Sequence, residues 1–242
     1  MKQSNTYLYC FSPPVMLATF LLEISFAIYI LWRYQMTAIT RLVVAILGFL
    51  AMFQATEYML CGGFALQGGD WSRIGYAAIT ILPPLGIHLA YKLANKKTGL
   101  VVAAGYITAA LFIGYFVFAS HAISGHTCYA NYATFSTSSG SSLIYGLYYY
   151  GWLMVGSYLS WKWAPKLDKH RRAALSALLL GYLALLVPTT AVNLIDQSTM
   201  AGIPSIMCGF AIILAFILVG RVAPESIALK QNTRPLKLRI PF

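Results

Sequence analysis

Ionisable side chains within apolar segments are the groups of this sequence best suited to chemistry. Glu23 interrupts the apolar stretch 13–32, Glu57 lies near the end of 41–61, and His88 lies within 74–92. Each costs about 2.5–3.5 kcal/mol at the centre of a membrane helix, so it is retained for a reason. At successive depths, Glu23 and His88 would suit a proton or cation path. The alternatives are a neutral carboxyl that cements helix packing for Glu23, and a hydrogen-bonded interhelical histidine for His88.

A second set of polar side chains is predicted near one end of its helices. Gln54 and Glu57 lie one turn apart on the same face of their segment. We expect the whole set to line an outward-facing cavity that binds a small molecule or lipid; its members are Gln54, Glu57, Asn193, Asp196 and Tyr149. In the alternative reading, the tyrosines and Trp152 form an interfacial aromatic belt, Asp196 caps a loop, and Glu57 is protonated and bonded to a neighbouring helix.

The four cysteines are all predicted on the outer side, where disulfides persist. Cys10 and Cys208 could pair if the first and last helices are neighbours, and Cys61 could reach Cys128, but four cysteines allow three pairings. The competing hypothesis is a metal site of His121, His126 and Cys128, whose spacing is not a standard zinc pattern. The rest of the loop 121–142 is rich in Ser and Thr and is predicted to be an ordinary outer loop.

The elements that must position these residues are transmembrane helices. The chain of 242 residues is 59% hydrophobic and only 10% charged, whereas a soluble domain has about 25% charged residues. Seven apolar segments are long enough to cross a bilayer, and lipid requires each to be helical. They are 13–32, 41–61, 74–92, 99–120, 143–163, 173–195 and 204–221. The pair Pro83-Pro84 is expected to kink the third helix and to free carbonyl groups.

The distribution of cations predicts the orientation. Of the 17 Lys and Arg, all but Lys2 and Arg73 fall in or beside the loops 33–40, 93–98 and 164–172 or in the tail. Because Lys and Arg stay on the cytoplasmic side, the N-terminus is expected outside and the C-terminus inside. We therefore predict an all-α, polytopic protein with one seven-helix domain over 1–221 and a short basic cytoplasmic tail over 222–242. The net charge of +11 is then explained by the cations on the cytoplasmic side, and nucleic acid is not expected as a partner.

Several activities of seven-helix proteins do not fit these residues. The last segment contains no lysine for a retinal Schiff base. Intramembrane metal hydrolases need several histidines and an aspartate at one depth, and no three of the four histidines share a level. Haem ligation by two facing helix histidines fails because His88 is the only histidine within a predicted span.

Three short motifs resemble an uncharacterised family of bacterial seven-helix membrane proteins. The motifs are Cys10-Phe11-Ser12, Phe53-Gln54-x-x-Glu57 and Ser205-x-x-Cys208. Members of that family open with Met-Cys-Phe-Ser, carry a Gln-x-x-Glu-Gly segment and end on a Ser-x-x-Cys helix. Here nine residues precede Cys10, and Tyr58 stands where the family tends to have glycine. The resemblance implies that Cys10, Glu57 and Cys208 belong to one outer site, but it implies no activity.

Three functions remain open. We expect a protein that binds or senses a small molecule or lipid, as a subunit of a membrane complex with a protein partner. The first alternative is a proton- or cation-coupled transporter or channel, with Pro83-Pro84 and Pro188 in broken helices. The weaker alternative is an enzyme acting at the outer face through Glu57, with Asp196 or His126 assisting. No cofactor is indicated, and the expected location is the bacterial inner membrane with its lipids as partners.

Overall fold

The computed structural model describes residues 13–62, 68–119, 121–128, 133–137 and 139–225. These residues form eight α-helices and one β-hairpin. The helices are α1 (Pro13–Arg33), α2 (Ala38–Gly62), α3 (Gly68–Thr80), α4 (Leu82–Leu93), α5 (Leu100–Phe118), α6 (Ser139–Trp163), α7 (Lys169–Ile195) and α8 (Ile203–Ile217), and the strands are β1 (Ile123–Cys128) and β2 (Ala133–Thr137). A π-helical turn, Leu218–Val222, continues α8, and 3-10 turns cover Ala164–Lys166 and Gln197–Gly202.

Six helical segments are long and apolar enough to cross a membrane, taking α3 and α4 together. Their outward faces carry large exposed apolar side chains, for example Ile28, Leu111 and Leu180. A helix that is apolar on its outer surface as well as its inner one is typical of a bilayer span. The fifth predicted span, 143–163, corresponds to α6, which has 25 residues but is richer in Tyr, Ser and Gly and is not among the six.

The prolines interrupt the third span as expected. Helix α3 ends at Thr80, and α4 begins at Leu82 with Pro83 and Pro84 in its first turn, where a missing N–H is tolerated. Since Pro84 has no N–H, it cannot bond to the Thr80 carbonyl four residues earlier. The Tyr148 hydroxyl of α6 donates to that carbonyl instead, at 2.6 Å. Pro188, by contrast, lies inside a continuous α7, so the second broken helix is not found.

Helices α2 and α4 lie at the centre of the bundle. Helix α2 packs against α1, α3, α4 and α8, while α4 contacts α2, α5, α6 and α7. Helix α1 also contacts α8, so the first and last helices are neighbours, as expected. Met16, Glu23, Ala27 and Ile30 form the buried stripe of α1 that faces these partners.

The long loop contains a hairpin where we predicted ordinary loop. Strands β1 and β2 pair antiparallel, from Ile123 opposite Thr137 to Cys128 opposite Ala133. The hairpin packs against α3 and α8, and Ala133 and Phe135 of β2 are buried. This end of the bundle is called the hairpin end below. Arg73, at this end, donates through Nη1 to the carbonyls of Phe116 and Val117, where α5 ends.

Candidate functional site

A large cleft opens at the hairpin end. Its volume is about 820 Å³, which is in the range of small-molecule sites. Its walls come from strand β2, the first half of α6, the start of α8 and one face of α3. The lining residues are Tyr76, Ile79, Thr134, Phe135, Ser136, Thr137, Leu143, Tyr145, Gly146, Leu147, Tyr149, Tyr150, Met200, Ile203 and Pro204.

The chemistry of the cleft is apolar with hydroxyl groups. None of the described residues that line it is charged, and the hydroxyls come from Thr, Ser and Tyr side chains. Leu143 and Leu147 on its α6 wall are 69% and 67% exposed, so the cleft borders an exposed apolar surface of that helix. Such a lining suits the hydrocarbon part of an amphiphile, with hydroxyls available to its polar part.

The aromatic wall is rigidly packed. Tyr76 contacts Phe135 with ring centroids 5.1 Å apart, and it contacts Tyr145 at 5.4 Å. The Tyr145 hydroxyl lies 3.1 Å from Thr80 Oγ1. Tyr145, Tyr148 and Tyr149 are all buried, so the interfacial-belt reading is wrong for these three tyrosines. Trp152 is half-buried, and its Nε1 donates to Thr108 Oγ1 at 3.1 Å.

Next to the cleft, three helices bring two carboxyls and a thiol together. Glu23 of α1 and Glu57 of α2 are fully buried, and Cys208 of α8 is 3% exposed. The Cys208 thiol lies within electrostatic range of both carboxyls. Gln54 Nε2 donates to the Cys208 carbonyl at 3.2 Å, which ties α2 to α8 at this level. We call Glu23, Glu57 and Cys208 the carboxyl cluster.

The carboxyl groups of Glu23 and Glu57 are buried without a well-formed hydrogen bond to any residue that the structure describes. None of their four oxygens has a hydrogen-bond partner of good geometry among the described residues. The Ser205 hydroxyl faces Glu57, and it accepts a hydrogen bond from the Ala133 N–H of β2 at 3.0 Å. The hairpin therefore covers the cluster and is held over it by α8. An ionised carboxylate without partners is expensive in such surroundings, so each group must be protonated or hold a cation.

Tyr149 is the link between the cleft and the interior. It lines the cleft and also a small cavity of about 30 Å³, which Cys208 and Tyr182 border as well. Of the five residues predicted to bind the ligand, Tyr149 is the one found in the cleft wall. Gln54 and Glu57 lie behind it at the carboxyl cluster, so the expected single polar cavity divides into two places.

Asn193 and Asp196 lie in a third place, where α7 ends. Asn193 Oδ1 accepts from the Thr199 hydroxyl at 2.7 Å, and the Tyr150 hydroxyl interacts with the side chains of Thr190 and Asn193. The main chain of Asp196 accepts from the same Thr199 hydroxyl and donates to the Val192 carbonyl. The local turn therefore uses Asn193 and the Asp196 main chain, in keeping with the capping alternative.

His88 is a partnered interhelical histidine. Its Nδ1 lies 3.1 Å from the Tyr106 hydroxyl, so the side chain bridges α4 and α5. Glu23, in contrast, is on α1, which packs against α2 and α8. The two residues predicted for a proton path therefore lie on different sides of the central helices.

The cysteines separate into a disulfide and a buried thiol. Cys61, at the end of α2, is bonded to Cys128 of β1, one of the pairings that the sequence left open. Cys208 has no disulfide partner among the described residues, and Cys10 lies outside them. The metal hypothesis needs correction, because the Cys128 sulfur is bonded to Cys61 and is not a thiolate ligand for His121 and His126. Within the described ranges, no three His, Cys, Asp or Glu side chains are grouped to hold a metal.

Sequence reasoning missed the hairpin as a wall of the site. In the stretch Ala133-Thr-Phe-Ser-Thr137, Ala133 and Phe135 are buried, and the alternating Thr134 and Ser136 are more exposed. That alternation is the usual signal of a half-buried strand.

No protein-family model and no curated protein matches the chain.

Proposed function

We propose that this chain is an integral membrane protein that binds an apolar or amphiphilic small molecule, or a lipid tail, in the cleft at the hairpin end. The observation that carries the proposal is the cleft itself, about 820 Å³ with an uncharged aromatic and hydroxyl lining beside the lipid-facing surface of α6. For a small molecule that enters from water, burial of its apolar part is worth about 25 cal/mol per Å², whereas a lipid tail that enters from the bilayer is held by packing contacts instead.

The proposed topology has seven spans, with α6 as the fifth and the hairpin end outside the cytoplasm. Helix α6 would be about 37 Å long, enough to cross a bilayer, and carries no charge before Lys162. The connections at the opposite end contain Lys96, Lys97, Lys166 and Lys169, as the positive-inside rule requires. A bacterial inner membrane, a membrane-protein partner and membership of the Met-Cys-Phe-Ser family are parts of this proposal.

Two glycines of α6 allow the cleft to be blocked selectively. A Cβ built at Gly146, which lines the cleft, meets no atom within 4 Å, so a side chain can be attached there, and the bulk of Gly146→Trp should fill part of the cleft. Gly151 lies on the same helix, is equally unobstructed, and does not line the cleft. Gly151→Trp is therefore the matched control.

The test uses full-length protein in nanodiscs that contain a diazirine-bearing phosphatidylcholine. On illumination, cross-links should saturate and map to α6 and β2, and unlabelled lipid should compete for them. Gly146→Trp should remove these cross-links, and Gly151→Trp should leave them. Cross-links spread over all lipid-facing helices, or equal labelling in the two variants, would refute binding in the cleft.

Transport is the second candidate, and the orphaned carboxyls favour it. Glu23 and Glu57 are fully buried without hydrogen-bond partners among the described residues, which is costly unless a proton or cation occupies the site. Intramembrane carboxyls of this kind mark ion pathways in many transporters.

This candidate is tested by proton flux in proteoliposomes that contain a pH-sensitive dye. Glu23→Gln or Glu57→Gln should abolish the flux, because an amide cannot exchange a proton with the path. Glu225→Gln is the matched control, since Glu225 lies at the other end of the bundle and pairs with His170 at 2.6 Å. A flux that survives both cluster substitutions, or none from the unmodified protein, would exclude the transport function.

A further inference from the structure

The end of the bundle opposite the hairpin holds a basic pocket of about 480 Å³. It lies between the turn after α4 and the connection from α6 to α7. Its lining residues are Ala94, Asn95, Lys96, Trp163, Lys166, Leu167, Asp168 and Arg171. We call it the basic pocket; it is separate from the cleft and the carboxyl cluster.

The charges of the basic pocket do not balance. Asp168 Oδ2 lies 3.3 Å from Arg171 Nε, and its other oxygen accepts the Arg171 N–H as the cap of α7. Lys96 and Lys166 have no carboxylate within ion-pair distance among the described residues. Three cations thus share one anion that is already engaged, and an additional anion would be attracted.

The pocket is formed before any ligand arrives. Asn95 adopts φ 53°, which turns the chain after α4, and the Lys96 N–H donates to the Tyr91 carbonyl at 2.9 Å. Across the pocket, Trp163 packs edge-to-face on Tyr91 with centroids 4.9 Å apart. This contact joins the ends of α4 and α6, from which the two connections with the lysines begin, so little ordering is needed to place their backbones.

We propose that the basic pocket binds a phosphate group, as the headgroup of an anionic phospholipid or as a soluble phosphate. Arg171 is fixed by Asp168 through its Nε, and the rest of its planar guanidinium offers the donor geometry that phosphate oxygens match. Lys96 and Lys166 supply flexible ammonium groups from the two connections. Basic pockets between transmembrane helices are known to hold lipid headgroups.

Adjacent lysines provide the matched control. Lys97 follows Lys96, and Lys169 lies close to Lys166, but neither lines the pocket. The double variants K96A/K166A and K97A/K169A therefore remove the same charge from the same connections. Only the first removes charge from the pocket.

The experiment titrates full-length protein in a neutral detergent with short-chain phosphatidylglycerol, short-chain phosphatidylcholine or inorganic phosphate, read by native mass spectrometry. At an ionic strength with a Debye length of about 8 Å, distant charges are largely screened. Phosphatidylglycerol should bind at one saturable site, and phosphatidylcholine should not. K96A/K166A should weaken binding about thirtyfold, which corresponds to ~2 kcal/mol for two lysines, and K97A/K169A should change it by less than about threefold.

The probes distinguish the two sources of phosphate. Binding of phosphatidylglycerol without inorganic phosphate supports a lipid headgroup, and binding of inorganic phosphate with the same dependence on K96A/K166A supports a soluble anion. Equal losses in the two double variants, equal binding of phosphatidylcholine, or no anion binding would overturn the proposal. These outcomes are independent of ligand binding in the cleft.

Discussion

The Tyr182 side chain of α7 packs against Gly86 of α4 and Gly156 of α6. Its contact with Gly86 yields a quantitative prediction. A Cβ at Gly86 of α4 would collide with the Tyr182 hydroxyl oxygen, while the ring carbons Cζ and Cε1 would lie 3.2 and 3.3 Å away. We expect Gly86→Ala to lower the free energy of unfolding by about 1–3 kcal/mol, the usual cost of overpacking.

The hydroxyl causes most of this clash, so its removal should rescue the variant. In the Tyr182→Phe background, the remaining contacts of 3.2 and 3.3 Å need shifts of only a few tenths of an ångström. Tyr182→Phe alone should be neutral or stabilising, because this buried hydroxyl has no partner among the described residues. The double-mutant cycle should give a coupling energy of about 1 kcal/mol or more.

The assay is unfolding in mixed micelles of sodium dodecyl sulfate and dodecyl maltoside, followed by far-UV circular dichroism. Gly114→Ala in α5 is the control, since a Cβ there meets no atom within 4 Å. It should stabilise the protein by about 0.5–1 kcal/mol, because alanine loses less backbone entropy in a helix. If Gly86→Ala is equally destabilising with and without the Tyr182 hydroxyl, the proposed packing of α4 on α7 is wrong.

Three further predictions concern the hairpin end. Denatured, unreduced protein should titrate at least two fewer thiols than reduced protein because Cys61 is bonded to Cys128, and equal counts would contradict that bond. Ser205→Ala removes the hydrogen bond to the Ala133 N–H, worth ~1 kcal/mol, and should accelerate hydrogen exchange at that amide about fivefold to tenfold. An unchanged rate would show that Ser205 does not hold the hairpin. Arg73→Met should cost about 1.5–3 kcal/mol in the same unfolding assay, because two carbonyls at the end of α5 lose a charged donor. Arg33→Met, at an exposed position, should cost less, and equal losses would contradict the capping role of Arg73.

The helices could be predicted because lipid leaves few alternatives for long apolar segments. The predicted segment 99–120 corresponds to α5, Leu100–Phe118, and the break at Pro83-Pro84 follows from their missing N–H groups. Helix α3 begins at Gly68, earlier than the predicted 74, because Asp70, Ser72 and Arg73 are polar but compatible with a helix. Hydropathy detects what enters lipid, not where a helix begins.

The candidate site was less predictable because its contacts join distant segments. The sequence shows that Pro84 leaves the Thr80 carbonyl unbonded, but not that Tyr148 of α6 supplies the donor. Likewise, the spacing of Gln54 and Glu57 places them on one helix face. That β2 covers this face depends on how the hairpin folds back, which the spacing does not show. The composition of that loop, rich in Ser and Thr, concealed its strand alternation.

The bond between Cys61 and Cys128 has a consequence for the order in which the protein is completed. It joins residues 67 positions apart, with α3, α4 and α5 made between them. The bond can form only after all three helices have been synthesised and both cysteines have reached an oxidising compartment. Until then, nothing covalent holds β1 to the end of α2, so the hairpin is secured over Glu57 late in biogenesis. A cell that delays oxidation would therefore hold a chain whose cover over Glu57 depends only on non-covalent contacts, such as the hydrogen bond from the Ala133 N–H to Ser205.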